Sequence, residues 1–368
     1  MGEGNKRGLV TGMANGNIFW NANERRLRAL WRLIIQGVAW FVVLFVGEAV
    51  VGGVWGAIAV PTRSRRAEAL ADPSTVTERL MSQPVVVVAL QVVSLVAVLV
   101  TVWLAARLLD RRRLAELGLR LDGRWWADFG FGLLLGALLM ALIFAVELAA
   151  GWVSVTGFFV TRNPATPFVL AILPPLITFF LVGISEELLS RGYQLTNLAE
   201  GLRGWGAAPA IIVATLVQAA FFGLLHVFNP NASAVSTFNI FIAGIFLAAG
   251  YILTGRLGLP IGLHMTWNFF QGNVFGFPVS GTDFRSGTFI GIEQGGPELW
   301  TGGAFGPEAG LVGIGTMLLG MLVIWLWVRL RDGTTGLAAE IAEPPALVRR
   351  EWVGEGGRRI DGQIGPSG

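Results

Sequence analysis

The feature that most constrains this chain is a series of long apolar segments, most of them close to the length of a membrane-spanning helix. A helix needs about 20 apolar residues to cross the hydrocarbon core of a bilayer. Of the 368 residues, 54% are hydrophobic and 14% are charged, which is more apolar surface than a water-soluble domain of this size can bury. We therefore expect an all-α, polytopic membrane protein of about eight transmembrane helices. The predicted spans are 33–60, 85–106, 129–153, 168–197, 210–227, 238–253, 257–277 and 311–330.

Polar stretches flank this predicted membrane domain, which runs from 33 to 330. The first 32 residues are polar and basic, and we expect them to end in a surface helix over 23–32. The tail 331–368 is rich in proline, glycine and charged residues, a composition typical of disorder. Loops are expected at 61–84 and 278–307, and the pair Pro174-Pro175 is expected to break the fourth helix.

The basic residues indicate an orientation. There are 27 of them, one of which is a lysine, Lys6. With the N-terminus in the cytoplasm, 21 fall on the cytoplasmic side of the predicted spans and six on the opposite side. This asymmetry agrees with the positive-inside rule and places both termini in the cytoplasm. The basic residues are dispersed among loops, so no nucleic-acid partner is expected. The composition suits a bacterial protein, and hence the plasma (inner) membrane.

A charged pair, Glu186-Glu187, stands at the end of the fourth apolar segment. Charge within a membrane span is expensive and calls for a reason. Neighbouring residues on a helix point about 100° apart, so the two carboxylates cannot both face one small site. Glu187 and Arg191 have the favourable spacing for an ion pair on one helical face. That leaves Glu186 as a candidate general base or acid. The alternative is that both glutamates form a solvated helix end.

The only two histidines, His226 and His264, lie in or beside later apolar segments. His264 and Asn268 are four residues apart and therefore share a helical face. An imidazole and an amide placed side by side can donate two hydrogen bonds to one oxygen, as an oxyanion hole requires. Phe222, one turn before His226, is a candidate wall of the site. The simpler alternatives are interfacial histidines and ordinary packing of Phe222.

Together these motifs resemble the CPBP family of intramembrane proteases, which includes CAAX-prenyl-protease-like and bacteriocin-processing or self-immunity (Abi) proteins. The matching patterns are Glu-Glu-x-x-x-Arg from 186, Phe-x-x-x-His from 222 and His-x-x-x-Asn from 264, within roughly 168–277. The resemblance implies hydrolysis of a peptide bond inside the membrane, at an active site surrounded by the helices. Carried over residue by residue, Glu186 and His226 would hold and activate a water, with Glu186 as the base. His264 and Asn268 would stabilise the oxyanion.

Three alternatives remain open at this stage. Glu186, His226 and His264 are also a legitimate zinc ligand set, although metal-free catalysis is favoured because a zinc site would need a separate base. A non-catalytic scaffold or immunity protein is the main rival to an enzyme. A transporter is disfavoured because paired repeats are missing from the sequence. The expected partners are membrane lipids and a peptide or membrane-protein substrate.

Overall fold

The computed structural model of the chain describes residues 18–59, 83–333 and 335–348, and its architecture is mostly helical. Two short antiparallel strand pairs accompany the helices, β1 with β2 and β3 with β4. In chain order the elements are β1 (Trp20–Asn21), β2 (Arg26–Leu27), α1 (Ala29–Ala59), α2 (Pro84–Ala105), α3 (Gly123–Ala149), β3 (Val153–Thr161), α4 (Phe168–Glu187), α5 (Thr196–Leu202), α6 (Ala207–Leu225), α7 (Ala234–Thr254), α8 (Gly258–Phe269), β4 (Gly287–Gln294), α9 (Glu298–Thr301) and α10 (Leu311–Asp332).

The prediction of an all-α, polytopic protein is confirmed. Within the described residues, seven helical segments are long and apolar enough to cross a membrane. The prediction of about eight differs from this count at one place, the segment expected over 257–277. There α8 has 12 residues and continues through five residues of π-helix, Phe270–Val274, so it is shorter than the seven helices counted.

The expected break at Pro174-Pro175 is wrong, because α4 runs without interruption through both prolines. A proline has no N–H, so Pro175 cannot bond the carbonyl oxygen of Ala171 one turn earlier. The hydroxyl of Ser286 donates to that oxygen instead, at 2.8 Å. A side chain from a distant loop therefore replaces the missing backbone bond, which is how membrane helices tolerate internal proline.

The end of the third predicted span is also corrected. Helix α3 ends at Ala149, and residues 153–161 form β3, which pairs antiparallel with β4. Strand β4 lies within the segment expected to be a glycine-rich loop over 278–307, together with the short helix α9. The strand pair ties this loop to the same end of the molecule as the start of α4.

Helices α3 and α8 approach each other closely through two Gly-x-x-x-Gly motifs. These are Gly132–Gly136 on α3 and Gly258–Gly262 on α8. A Cβ at Gly132 would stand 2.3 Å from the carbonyl oxygen of Leu259, and one at Gly262 would stand 2.3 Å from that of Phe129. Only glycine allows backbones to come so near, and such contacts hold membrane helices together by van der Waals packing. The helix that carries His264 is thus fixed against α3.

The N-terminal region is held by buried ion pairs around Glu200 on α5. The Glu200 carboxylate accepts bonds from Arg32 and Arg112, both at 2.8 Å, and also from Arg26. Arg32 in addition pairs with Asp110 at 2.7 Å. This cluster joins β2, α1 and the segment after α2 to α5.

Two expectations about the flanks need revision. The surface helix expected over 23–32 is instead a hairpin, β1–β2, followed by the start of α1. The tail expected to be disordered from 331 begins as the last turn of α10, and it then forms a short 3-10 helix, Ala339–Ala342, in which Ile341 and Ala342 are buried. The expected loop at 61–84 falls almost wholly outside the described residues, as do residues 1–17 and 349–368.

Candidate active site

Glu187 ends α4, and the chain continues as a π-helix over Leu188–Leu195. The expected ion pair is present: Arg191 Nη1 donates to Glu187 Oε1 at 2.8 Å, and both side chains are fully buried. Arg191 Nη2 also donates to the carbonyl oxygen of Gly244 on α7, at 3.0 Å. The pair therefore connects the end of α4 to α7.

Glu187 has a second partner that the sequence motifs do not indicate. Its Oε1 lies 2.8 Å from Nδ1 of His264, which is 77 positions later in the chain and 94% buried. A carboxylate can only accept here, so the imidazole donates through Nδ1–H and its Nε2 faces away from Glu187. Glu187 thus sets both the rotamer and the orientation of His264. No spacing within one helix reveals a contact of this kind.

Glu186 points in another direction from Glu187, as neighbouring helical residues must. Its side chain is 37% exposed, and its Oε2 stands 4.0 Å from Nε2 of His264. One water molecule can bridge two polar groups at such a separation. Among the described residues, no ion pair joins Glu186 to His226, the histidine with which the sequence analysis paired it.

His226 begins a single 3-10 turn at the end of α6. Its Nδ1 lies 2.7 Å from the carbonyl oxygen of Phe222, so this nitrogen donates and Nε2 is left to accept. The Phe222 ring is buried, and its centroid lies 4.8 Å from that of the His226 ring and 6.4 Å from that of the His264 ring. The Arg191 guanidinium stands 4.6 Å from its centre, within cation–π range. Phe222 therefore packs against both imidazoles and against the Arg191 guanidinium, while His264 also contacts Glu187 directly.

His226, His264 and Asn268 line one small cavity of about 40 Å³, together with Phe222. A space of this size holds one or two water molecules. Glu186 is not part of this lining and approaches His264 from outside the cavity. Straight parallel helices would place His226, at the end of the 19-residue α6, far from His264, six residues into α8. The two histidines nevertheless line the same cavity, and α8 is short, with 12 residues.

The cavity has a further wall that the sequence analysis missed. Ser280 and Glu308, both from the segment that follows α8, line it together with the histidines. The turn after His226 holds this segment in place: Asn229 Nδ2 donates to the Ser280 carbonyl oxygen at 3.0 Å, and Asn231 Nδ2 donates to that of Gly281 at 3.3 Å. The only sequence signal for this wall is an isolated acid in a glycine-rich loop.

The candidate zinc ligands do not form a metal site in this geometry. Within the described part of the chain, no three His, Cys, Asp or Glu side chains come together closely enough to hold one ion.

Comparison with known families confirms the resemblance within one segment. Residues 167–270 match the family model described as Type II CAAX prenyl endopeptidase Rce1-like. No curated protein and no solved structure matches the chain. The matched segment contains all seven residues named above from the three motifs, namely Glu186, Glu187, Arg191, Phe222, His226, His264 and Asn268. The match supports the classification of this protein as a hydrolase of the protease class. With seven membrane-length helices, it also supports a multi-pass membrane protein.

Proposed function

We propose that this protein is an intramembrane endopeptidase in which Glu186 activates a water molecule. The observation that carries the proposal is the contact between Glu187 and His264 at 2.8 Å, with Phe222 packed beside it. Three short motifs from three helices meet at this point. Ionisable residues within membrane segments are costly and usually mark a functional site, and these come from helices far apart in the chain.

In the proposed reaction, Glu186 accepts a proton from a water molecule while the water oxygen bonds to the carbonyl carbon of the substrate. His226 orients this water through Nε2, the nitrogen left free by its bond to Phe222. The carbonyl oxygen becomes an oxyanion and accepts hydrogen bonds from His264 Nε2–H and Asn268 Nδ2–H. Glu187 balances the charge of His264 when both ring nitrogens carry protons. The C–N bond then breaks, its electron pair stays on nitrogen, and the amine takes up a proton.

Glu186 Oε2 and His264 Nε2 are 4.0 Å apart, so the two groups lie side by side. In this arrangement the base contacts the water and the donor contacts the carbonyl oxygen, each at about 3 Å, from the same side of the reacting carbonyl. Removal of one oxyanion donor typically lowers kcat by 10²–10³-fold, so the kcat of His264→Ala should be lower than that of the wild type by roughly that factor. The kcat of Asn268→Ala should be lower by a similar factor.

We propose that this chemistry needs no metal. The described residues support this, because no three His, Cys, Asp or Glu side chains among them are grouped closely enough to hold one ion. Dialysis against a strong chelator tests the point. Activity that survives dialysis agrees with glutamate-dependent catalysis. Activity that is lost and then returns with zinc contradicts it.

The substrate is proposed from the matched family, whose description names CAAX prenyl endopeptidases. It is a peptide or membrane protein cleaved within the membrane domain over 33–330. The proposed location is the plasma membrane, with both termini in the cytoplasm, the orientation that the charge asymmetry favours. This orientation needs an even number of crossings, so it requires α8 and its π-helical extension to cross the membrane in addition to the seven longer helices. Lipids would surround the apolar helices.

The test uses purified protein in liposomes with two internally quenched peptides, one ending in a farnesylated CAAX sequence and its unprenylated counterpart. Cleavage of the farnesylated peptide alone indicates a lipidated substrate, and equal cleavage of both indicates that the lipid is dispensable. A parallel comparison of N-terminal peptides from cells expressing the wild type or Glu186→Gln detects other substrates. Absence of any fragment that depends on Glu186 in both assays would exclude the proposed activity.

A further inference from the structure

Glu308 is a buried acid that faces the same cavity as the catalytic histidines, yet lies outside the matched family segment. It belongs to a 3-10 turn, Pro307–Ala309, just before α10, and only 3% of its surface is exposed. Together with His226, His264 and Asn268 it lines the cavity of about 40 Å³. Its carboxyl is therefore separated from the proposed reacting groups by no more than a few water-sized steps.

The contacts of Glu308 fix its side chain without neutralising it. Ser280 donates to Oε1 through its backbone N–H at 2.5 Å and its hydroxyl at 3.2 Å. Gln271 Nε2 donates to Oε2 and also to the carbonyl oxygen of Pro278, the latter at 2.6 Å. Gly306 has a φ of +119°, and a Cβ there would stand 2.6 Å from Glu308 Oε2. The loop is thus shaped around this carboxyl.

No cation pairs with Glu308 among the described residues, and this affects its ionisation. Burial raises the pKa of Glu308 to about 7, against the opposing effect of the hydrogen bonds from Ser280 and Gln271. The titratable groups across the cavity are His226 and His264. Three other elements pack against the turn, namely α7, α9 and α10. Their titratable groups are Tyr251, Glu298, Arg329, Arg331 and Asp332.

We propose that Glu308 is the acid that protonates the leaving amine, opposite Glu186 as the base. This inference rests on the proposed function. As the C–N bond breaks, its electron pair stays on nitrogen and the carboxyl proton of Glu308 passes to that nitrogen. Glu186 holds the proton taken from water, and its return to Glu308 through water restores both groups. Two carboxyls in unlike environments then carry the two proton transfers of amide hydrolysis, as in other paired-acid enzymes.

The test is the pH dependence of peptide cleavage by the wild type and the variants Glu308→Gln and Ser280→Ala. A general acid must be protonated to act, so the wild-type rate should fall as the pH rises through about 7. Glu308→Gln should lose roughly 100-fold or more in kcat and lose this alkaline limb. Ser280→Ala removes a hydrogen bond that favours the ionised carboxylate, so its alkaline limb should move to higher pH. Glu298→Gln, an exposed acid ten positions earlier, is the control and should keep the wild-type profile.

The outcomes separate this inference from the proposed function. If the wild type cleaves and Glu308→Gln keeps both its rate and its alkaline limb, Glu308 is not the acid. If Glu308→Gln does not fold, an unmoved limb in Ser280→Ala overturns the assignment. Infrared spectra of the wild type against pH provide a readout without substrate. The proposal is supported by a neutral-carboxyl band that titrates near neutrality in the wild type and whose titration midpoint moves to higher pH in Ser280→Ala. An unchanged midpoint contradicts it.

Discussion

Glu187 Oε1 lies 2.8 Å from His264 Nδ1, and the same oxygen also accepts a hydrogen bond from Arg191 at 2.8 Å. One buried carboxylate oxygen therefore joins the end of α4 to the middle of α8. Its other oxygen, Oε2, has no hydrogen-bond partner among the described residues. In the proposed mechanism Glu187 is therefore a positioning residue, which would act on the reaction through the orientation of His264.

Glu187→Gln should destabilise the protein by about 3–5 kcal/mol, because it leaves the Arg191 charge buried and unpaired. Replacement of both residues, as in Glu187→Gln with Arg191→Leu, should cost less than the sum of the single changes. Thermal unfolding of the detergent-solubilised variants measures this. Additive losses would show that the two side chains do not depend on each other.

Gly132→Ala should destabilise the contact between α3 and α8, because its Cβ would meet the Leu259 carbonyl oxygen at 2.3 Å. Gly130→Ala, two residues earlier on the same helix, is the matched control, since a Cβ there meets no atom within 4 Å. The control should be neutral or stabilising by up to about 1 kcal/mol, the usual gain from alanine in a helix. Melting temperatures compare the two, and equal values would contradict the close packing described here.

Glu200→Gln should loosen the N-terminal hairpin from the membrane domain. The change removes the negative charge that Arg32 and Arg112 share at 2.8 Å, and a buried network broken at one partner loses about 3–5 kcal/mol. Limited proteolysis near residue 28 and thermal unfolding both report the effect. Glu293→Gln, at an exposed position on β4, should leave both measurements unchanged. If Glu200→Gln resists protease as the wild type does, the cluster does not hold this region.

Stability should fall as the pH rises from about 4.5 toward 7. Burial raises the pKa of Glu308 from 4.5 to about 7, so in this range the folded state keeps a proton that the unfolded state has released. The contribution of this group is on the order of 3 kcal/mol, fully present below pH 4.5 and lost above about 7. The melting temperature should fall more steeply with rising pH for the wild type than for Glu308→Gln. An equal pH dependence of the two melting temperatures would show that Glu308 keeps its ordinary ionisation in the fold.

The sequence predicted the helices well because each membrane crossing imposes its own apolar length, which is a local property. It also predicted the Glu187–Arg191 pair, which depends only on spacing within one helix. The bond from Ser286 that lets α4 continue through Pro175 was not predictable, since it joins positions 115 apart. The same holds for the contact of Glu187 with His264 and for the wall formed by Glu308.

The most direct test of the central claim is cleavage by the purified wild type and Glu186→Gln in liposomes, followed by mass spectrometry of the peptide products. Gln at 186 keeps the size of the side chain but cannot accept the proton of the attacking water. The account predicts one defined cut by the wild type and a loss of at least roughly 100-fold in the variant, with unchanged insertion and melting temperature. The same cut at an equal rate in Glu186→Gln would contradict it.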